Sequence, residues 1–286
     1  MGQVIASGVQ VGSSYALLAL ALVLVPKSTN VPNFAQAEMG LLPAFVTWQV
    51  MTSFHVPYAV GILAGVATGI VLAIVLERVL IRPILRASHF ALVMMTIGIF
   101  FTLNSFDGIV WGSSPRVINA PFSGNFKIAG TVITDEQVVA FALGIAIMLA
   151  LRWFFSTRRG VQMRALAEDR ETPRLLGVRV NRVFVAAWAI AGTISAIAVI
   201  LATQATVLND QSGQTLIIDG FVAATLGGFS SITGAFVGGI ILGVLENLAG
   251  TYISTSAASA LALIAVFAVL IVRPTGLFGQ AGLREV

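Results

Sequence analysis

Cysteine is absent from this chain of 286 residues, and lysine occurs only at Lys27 and Lys127. The first absence excludes disulfides, thiol nucleophiles and cysteine-ligated zinc. The second excludes a GxxxxGK[ST] nucleotide loop, which needs a glycine before its lysine, because Pro26 and Phe126 stand at those positions. The chain therefore cannot be a P-loop ATPase by itself.

Histidine is almost absent as well, since only His55 and His89 occur, each at the end of an apolar run with no carboxylate nearby in sequence. Hydrolysis inside a membrane needs a nucleophile with a buried base, or a HExxH metal pair. We therefore expect both histidines to lie at a membrane interface. Enzymatic activity, a metal and a cofactor of the chain's own are not expected.

Charged residues make up 10% of the sequence, against about 25% in an average soluble domain. Hydrophobic residues make up 57%, and the mean hydropathy is +0.96. About 20 apolar residues cross a hydrocarbon core, and several runs reach that length, so the composition predicts an all-α protein of the lipid bilayer with one transmembrane domain over residues 1–286. The predicted segments are 4–25, 36–54, 58–79, 90–110, 138–155, 184–208, a composite region 216–253, and 257–272. The first is long enough to be kept as a span and not removed as a signal peptide.

The basic residues give the predicted segments an orientation. Of the 16 lysines and arginines, all except Arg116 and Lys127 fall on one side if the segments alternate. The positive-inside rule places that side in the cytoplasm, with the N-terminus outside and the C-terminus inside a cytoplasmic (inner) membrane. The sequence pI of about 10.1 is thus interpreted as a topology signal, and no nucleic-acid partner is expected.

The composite region must cross twice, because opposite locations of the two termini need an odd number of crossings. Its first apolar piece is short, and the glycine- and serine-rich "GGFSSITG" follows at 227–234. This pattern predicts a broken or re-entrant helix, and hence about eight or nine segments. In the outer loop, "FKIAGTVIT" at 126–134 is typical of a small β-hairpin.

A cytoplasmic loop at 156–183 contains seven arginines and three acidic residues between Thr157 and Val183. The pattern predicts a helix from Val161 with Val161, Ala165 and Leu166 on an apolar face. It also predicts a bend at Thr172-Pro173, a second helix capped by Thr172, and a left-handed stop at Gly177. Docking into a groove of a partner suits such an element, whereas an oversized topogenic loop is the alternative.

This loop, "GVQMRALAEDRETPRLLGV", resembles the coupling loop of permease subunits of branched-chain amino acid ABC importers, the LivH type within the LivH/LivM/ribose-permease superfamily. Five further segments resemble that family in the same order. They are "GSSYALLALALVLV" at 12–25, "NFAQAEMG" at 33–40, "ER" with "RP" at 77–83, "GGFSSITGAFVGGIILGVLE" at 227–246 and "RPTGLFG" at 273–279. The resemblance implies a polytopic helical permease that moves a branched-chain amino acid or a related small polar solute inward by alternating access.

The resemblance also implies partners: a second homologous permease of LivM type or a second copy of this chain, two cytoplasmic ABC ATPases that bind the ATP, and an extracytoplasmic solute-binding protein. It implies ATPase coupling through Gly160, Arg164, Ala165, Ala167, Asp169, Leu176 and Gly177. Two departures concern Pro173, where the family often has a small helix former, and Gln36-Ala37, where His-Gly is common. The solute therefore stays open.

Polar residues inside the predicted segments are candidates for the translocation pathway, because such residues are costly in lipid and usually face a cavity or a partner. The candidates are Asn33, Glu38, Asn104, Gln204 and Asp219. Glu38 could instead cap the second segment. Glu246 is expected to be a packing or interface group, and Asp107, near an outer end, is expected to be solvated.

Glycines four residues apart, such as Gly8 and Gly12, favour close helix packing, within one subunit or between two subunits.

Two alternative functions stay open. The chain could be a self-sufficient secondary transporter or channel, or it could be a sugar permease of the same superfamily. Only the ABC importer needs a docking helix in the cytoplasm.

Overall fold

The structure is a computed structural model that describes residues 1–29, 32–85, 87–121, 124–128, 130–168, 171–175 and 177–279. Helices dominate this part of the chain. They are α1 Gly2–Leu24, α2 Pro26–Thr29, α3 Glu38–Phe54, α4 Tyr58–Leu76, α5 His89–Trp111, α6 Asp135–Ser156, α7 Arg158–Glu168, α8 Glu171–Leu175, α9 Val180–Ala205, α10 Ser212–Gly227, α11 Ile232–Tyr252 and α12 Thr255–Val272. The predicted hairpin is present as β1 Asn125–Ile128 paired antiparallel with β2 Thr131–Thr134.

Six helical stretches among the described residues are long and apolar enough to cross a membrane. They are Gly2–Ser28, Tyr58–Ile84, His89–Trp111, Asp135–Ser156, Val180–Ala205 and Ile232–Tyr252. This is fewer than the eight or nine segments that the sequence predicts. The physical reason is that α3 has only 17 residues and α10 only 16, because the chain is non-helical before Glu38 and breaks after Gly227.

The break after α10 lies within the predicted glycine- and serine-rich stretch. Gly228 has φ of +101°, which a residue with a side chain rarely adopts, and the Ser231 hydroxyl then accepts a hydrogen bond from Gly234 N at 2.9 Å to begin α11. Near the C-terminus, Leu277 N donates to Leu226 O at 2.9 Å. The "RPTGLFG" segment thus closes over the break. Helices α10 and α11 fold back on each other as an antiparallel pair.

Helix α1 is the centre of the packed core, because every residue from Gly12 to Leu24 is buried. Its glycines allow backbone contact with α11. A Cβ atom on Gly8 would lie 2.7 Å from Val244 Cα, and one on Gly12 would lie 2.8 Å from Gly239 O. Helix α4 also has glycines four residues apart, at Gly61, Gly65 and Gly69. They allow the same close packing, since a Cβ on Gly69 would lie 2.9 Å from Gly192 O in α9. These stripes therefore pack within one subunit.

The "ER" and "RP" segments after α4, which resemble the permease family, are joined by one ion pair. The Arg82 guanidinium donates to Glu77 through Nε at 3.1 Å and Nη2 at 2.7 Å, and Glu77 is fully buried. The helix tightens and widens locally here, with a π-turn over Glu77–Ile81 and a 3-10 turn over Arg82–Ile84. This bidentate contact fixes the C-terminal end of α4.

The loop at 156–183 contains two short helices, as predicted, but with different bounds. Helix α7 begins at Arg158, and its buried residues are Gly160, Met163 and Leu166. Val161 is 49% exposed whereas Leu166 is buried, so the expectation that the two residues lie on one apolar face is wrong. The reason is that α7 packs against α2, α6 and α9, which select the side with Met163.

The second short helix, α8, begins at Glu171, so Thr172 lies inside it and is not its cap. The predicted stop is confirmed, because Gly177 has φ of +82° and Val178 N donates to Pro173 O at 3.0 Å. Leu175 at the end of α8 is 87% exposed. Two apolar side chains of this loop, Val161 and Leu175, are thus exposed.

Candidate functional site

The non-helical stretch before α3 is held in place by two buried polar side chains. Asn33 Oδ1 accepts from Ala35 N at 3.0 Å, and Asn33 Nδ2 donates to Gln36 Oε1 at 2.8 Å. Gln36 Nε2 in turn donates to Ser195 Oγ at 2.7 Å, near the middle of α9. Both residues are fully buried. Asn33 therefore shapes the backbone, and Gln36, which sequence reasoning noted only as a departure from the family, anchors it to α9.

Glu38 and Asn104 are brought together where α3, α5 and the beginning of α10 meet. Asn104 Nδ2 donates to Asp210 O at 2.7 Å and reaches Glu38 Oε1 at 3.4 Å, while Gln214 Nε2 reaches Asn104 Oδ1 at 3.5 Å. Glu38 is fully buried, and its Oε2 has no hydrogen-bond partner among the described residues. No side-chain cap forms at the start of α3, so Glu38 makes none of the contacts of a helix cap.

The same junction is tightly packed. A Cβ atom on Gly213, in the first turn of α10, would lie 2.6 Å from the Glu38 carboxyl carbon. Asp107, one turn along α5 from Asn104, is fully buried, and neither of its carboxylate oxygens has a partner in the described part of the chain. The expectation that Asp107 is solvated is therefore wrong. The spacing of three residues from Asn104 places both on one helix face, and this signal could have revealed it.

Gln204 and Asp219 lie apart from this junction. Gln204 Nε2 donates to the Tyr58 hydroxyl and so ties the C-terminal end of α9 to the start of α4. Asp219, on α10, faces α1 and lines a cavity together with Tyr15 of that helix. Glu246 is partly buried on α11. Sequence reasoning missed Tyr15, although it is the only aromatic residue in the buried run from Gly12 to Leu24, which is a visible signal.

The candidate coupling residues lie around α7. Gly160 lets α7 approach α6, since a Cβ there would lie 2.9 Å from Phe154 C, and exposed Arg164 donates from Nη2 to Phe155 O at 3.2 Å. Ala165 and Ala167 are half-buried, and Gly177 is exposed. Asp169 and Leu176 lie outside the described residues. The surface that remains open to a partner thus contains Val161, Ala165 and Leu175.

A family model described as branched-chain amino acid transport system / permease component matches residues 4–272. The chain belongs to this permease family. It is 31% identical to the high-affinity branched-chain amino acid transport system permease protein LivH of Escherichia coli K12, over 98% of this chain and 96% of LivH. The Salmonella typhimurium LivH is 30% identical over the same shares. The Pseudomonas aeruginosa BraD is 29% identical over 99% of this chain and 97% of BraD.

This permease family consists of transport subunits and not of enzymes. The chain covers nearly all of its relatives' length, so the helices, the break after α10 and the α7–α8 element are features of one permease subunit.

Proposed function

We propose that this permease is the membrane-spanning subunit of an ABC importer that moves branched-chain amino acids into the cytoplasm by alternating access. The observation that carries this proposal is the ordered α7–α8 element, with Val161 and Leu175 exposed beside charged residues. Apolar side chains on a short cytoplasmic helix fit a groove of a partner protein. A secondary transporter has no use for such a docking element.

The same proposal includes the partners and the membrane orientation. Two cytoplasmic ATPases hydrolyse the ATP, a like permease or a second copy completes the pathway, and an extracytoplasmic binding protein delivers the solute. Nine membrane segments fit an outer N-terminus and an inner C-terminus, with α3 and α10 as short segments and with α10 and α11 as the returning pair. The contact of Lys27 supports a cytoplasmic position for the break between α10 and α11. Its Nζ donates to Ser230 O in that break at 2.7 Å, and basic residues prefer the cytoplasmic side.

Co-purification tests the proposed partners. The permease would be extracted gently from its native membrane, and its companions would be identified by mass. We expect an ABC ATPase and a second permease of the same family, or only this permease with the ATPase. Recovery of the intact permease without any ATPase, from membranes that transport leucine through it, would contradict the proposal.

The orientation can be tested with single cysteines, because the natural chain has none. Asn125→Cys lies in exposed β1, and Ser156→Cys lies at the exposed end of α6. We expect a membrane-impermeant maleimide to label Cys at 125 only from outside the cell and Cys at 156 only from the cytoplasmic side. Labelling of both from one side would show that α6 does not cross the membrane.

Glu38 gives a prediction about the pathway. We expect Glu38→Gln to lower leucine transport about tenfold or more, because the amide keeps the volume beside Gly213 but removes the charge that a passing ammonium group would meet. Folding and ATPase assembly should be unchanged. Glu136→Gln, the same chemical change in the first turn of α6, is the control. Normal transport by Glu38→Gln would assign Glu38 a purely structural role.

A further inference from the structure

A cavity of about 260 Å³ lies between α1, α9 and α10. Val207 and Gln211, in the connection between α9 and α10, are exposed and line it, so the cavity meets the surface there. Asp219 and Tyr15 line its other end. Asp219 follows Ser212 by seven residues, which corresponds to about 10 Å along the helix. In the proposed orientation, the mouth of this cavity faces the extracytoplasmic side.

The lining divides into an apolar side and a polar side. Val11, Ala202 and Leu216 supply alkyl surface from the three helices. Ser212, Thr215 and Asn209 supply hydroxyl and amide groups near the mouth. Small-molecule sites in proteins are built in this way, from apolar walls with a few placed polar groups, and a volume near the lower end of their usual range suits a ligand of few atoms.

The charge of the lining selects the ligand further. Asp219 is its only acidic residue, and no lysine or arginine lines the cavity. No ion pair with Asp219 occurs in the residues that the structure describes. Tyr15 lines the cavity together with Asp219, so a phenol hydroxyl is available near the carboxylate. A carboxylate without a cationic neighbour in a membrane segment is costly, and a cationic ligand would relieve that cost.

A metal ion fits this cavity poorly, because no group of three metal-binding side chains is found in the described ranges of the chain. A primary ammonium needs only one carboxylate and a few neutral acceptors, which Asp219, Tyr15 and Ser14 supply. A ligand carboxylate could accept from the Asn209 side-chain amide, because the Ser212 hydroxyl already donates within the same turn to Asn209 Oδ1 at 2.9 Å. A short alkyl chain would lie against Val11 and Ala202.

We propose that this cavity binds the ammonium group of a small α-amino acid on Asp219, so that the permease subunit itself recognises the solute. The inference rests on the proposed function and deepens it, because it places recognition inside one subunit and assigns it to a primary amine. Asp219 is then a binding residue, and Tyr15 is a positioning residue that acts through Asp219.

Protection of a cysteine from alkylation tests this site in the assembled complex. Thr215→Cys places a thiol in the cavity lining, and Asn125→Cys on β1 is the matched control outside it. The probes are leucine, 3-methylbutylamine, which lacks the carboxylate, and 4-methylpentanoate, which lacks the amine. We expect leucine and the amine to slow labelling at position 215 but not at 125, and the amine-free acid to have no effect.

Asp219→Asn in the Thr215→Cys background separates recognition from packing. We expect the leucine concentration needed for protection to rise about tenfold or more, as for loss of a hydrogen bond to a charged group. Tyr15→Phe should raise it less, because the carboxylate remains. Equal protection by the amine-free acid, or unchanged protection in Asp219→Asn, would overturn the inference. So would absence of protection in a complex that contains its ATPase and imports leucine, whereas loss of the ATPase itself would count against the proposed function instead.

Discussion

Ala165→Asp is expected to remove the ATPase from the purified complex while the permease still inserts into the membrane. Ala165 is half-buried on α7, beside exposed Val161 and opposite the face of Met163 and Leu166 that packs on the membrane helices. An aspartate in the docked interface would be desolvated without a partner, which costs several kcal/mol and corresponds to a loss of affinity of about 100-fold or more. The measurement is the ratio of ATPase to permease after purification, with leucine-stimulated ATP hydrolysis.

Two control variants separate docking from other effects of the loop. Ala165→Ser adds a small neutral group and should keep most of the ATPase. Arg159→Lys keeps the positive charge on an exposed side chain, so orientation and coupling should both be nearly unchanged. If Ala165→Asp retains the ATPase and normal stimulation, the loop is a topological anchor only.

Gly12→Leu is expected to prevent stable folding of the permease. A Cβ atom at this position would lie 2.8 Å from Gly239 O and 2.9 Å from Ile240 Cα, and both are backbone atoms of α11. Side chains can rotate away from an added group, but the backbone of a packed helix cannot, so the cost should reach the upper end of overpacking effects, about 3 kcal/mol or more. The measurement is the fraction of monodisperse protein in detergent and its thermal melting temperature.

Gly98→Leu is the matched control for this prediction. Gly98 also lies within a long apolar helix, α5, but a Cβ there would meet nothing within 4 Å. The same substitution should therefore leave folding intact and slightly favour the helix. Equal melting temperatures for the two variants would show that α1 and α11 are not in backbone contact.

Much of the helical architecture could be predicted from sequence, because long apolar runs leave little choice of structure in a bilayer. The break after α10 was also predictable, since Gly228 can adopt a positive φ and Ser231 can cap the next helix. The start of α3 was not predictable from the sequence. It depends on Gln36 binding Ser195 in α9, 159 residues away, and local patterns carry no information on such a contact.

The candidate site was predictable only in part for the same reason. Glu38 and Asn104 were selected as polar residues in apolar segments, but their proximity depends on how α3, α5 and α10 pack. On α7, apolar residues occur on two sides of a short helix. The contacts with α2 and α6 decide that Met163 turns inward and Val161 outward, so Val161 and Leu166 do not share one face as predicted.

Leucine uptake into proteoliposomes tests the central claim most directly. The vesicles would contain this permease with the permease and ATPase that co-purify with it, and the solute-binding protein would be supplied on the extracytoplasmic face. We predict that labelled leucine accumulates against its gradient only when the ATPases have ATP, and that omission of the ATPase abolishes uptake. Leucine accumulation by this permease alone, driven by a sodium or proton gradient without ATP, would contradict the account and identify a secondary transporter.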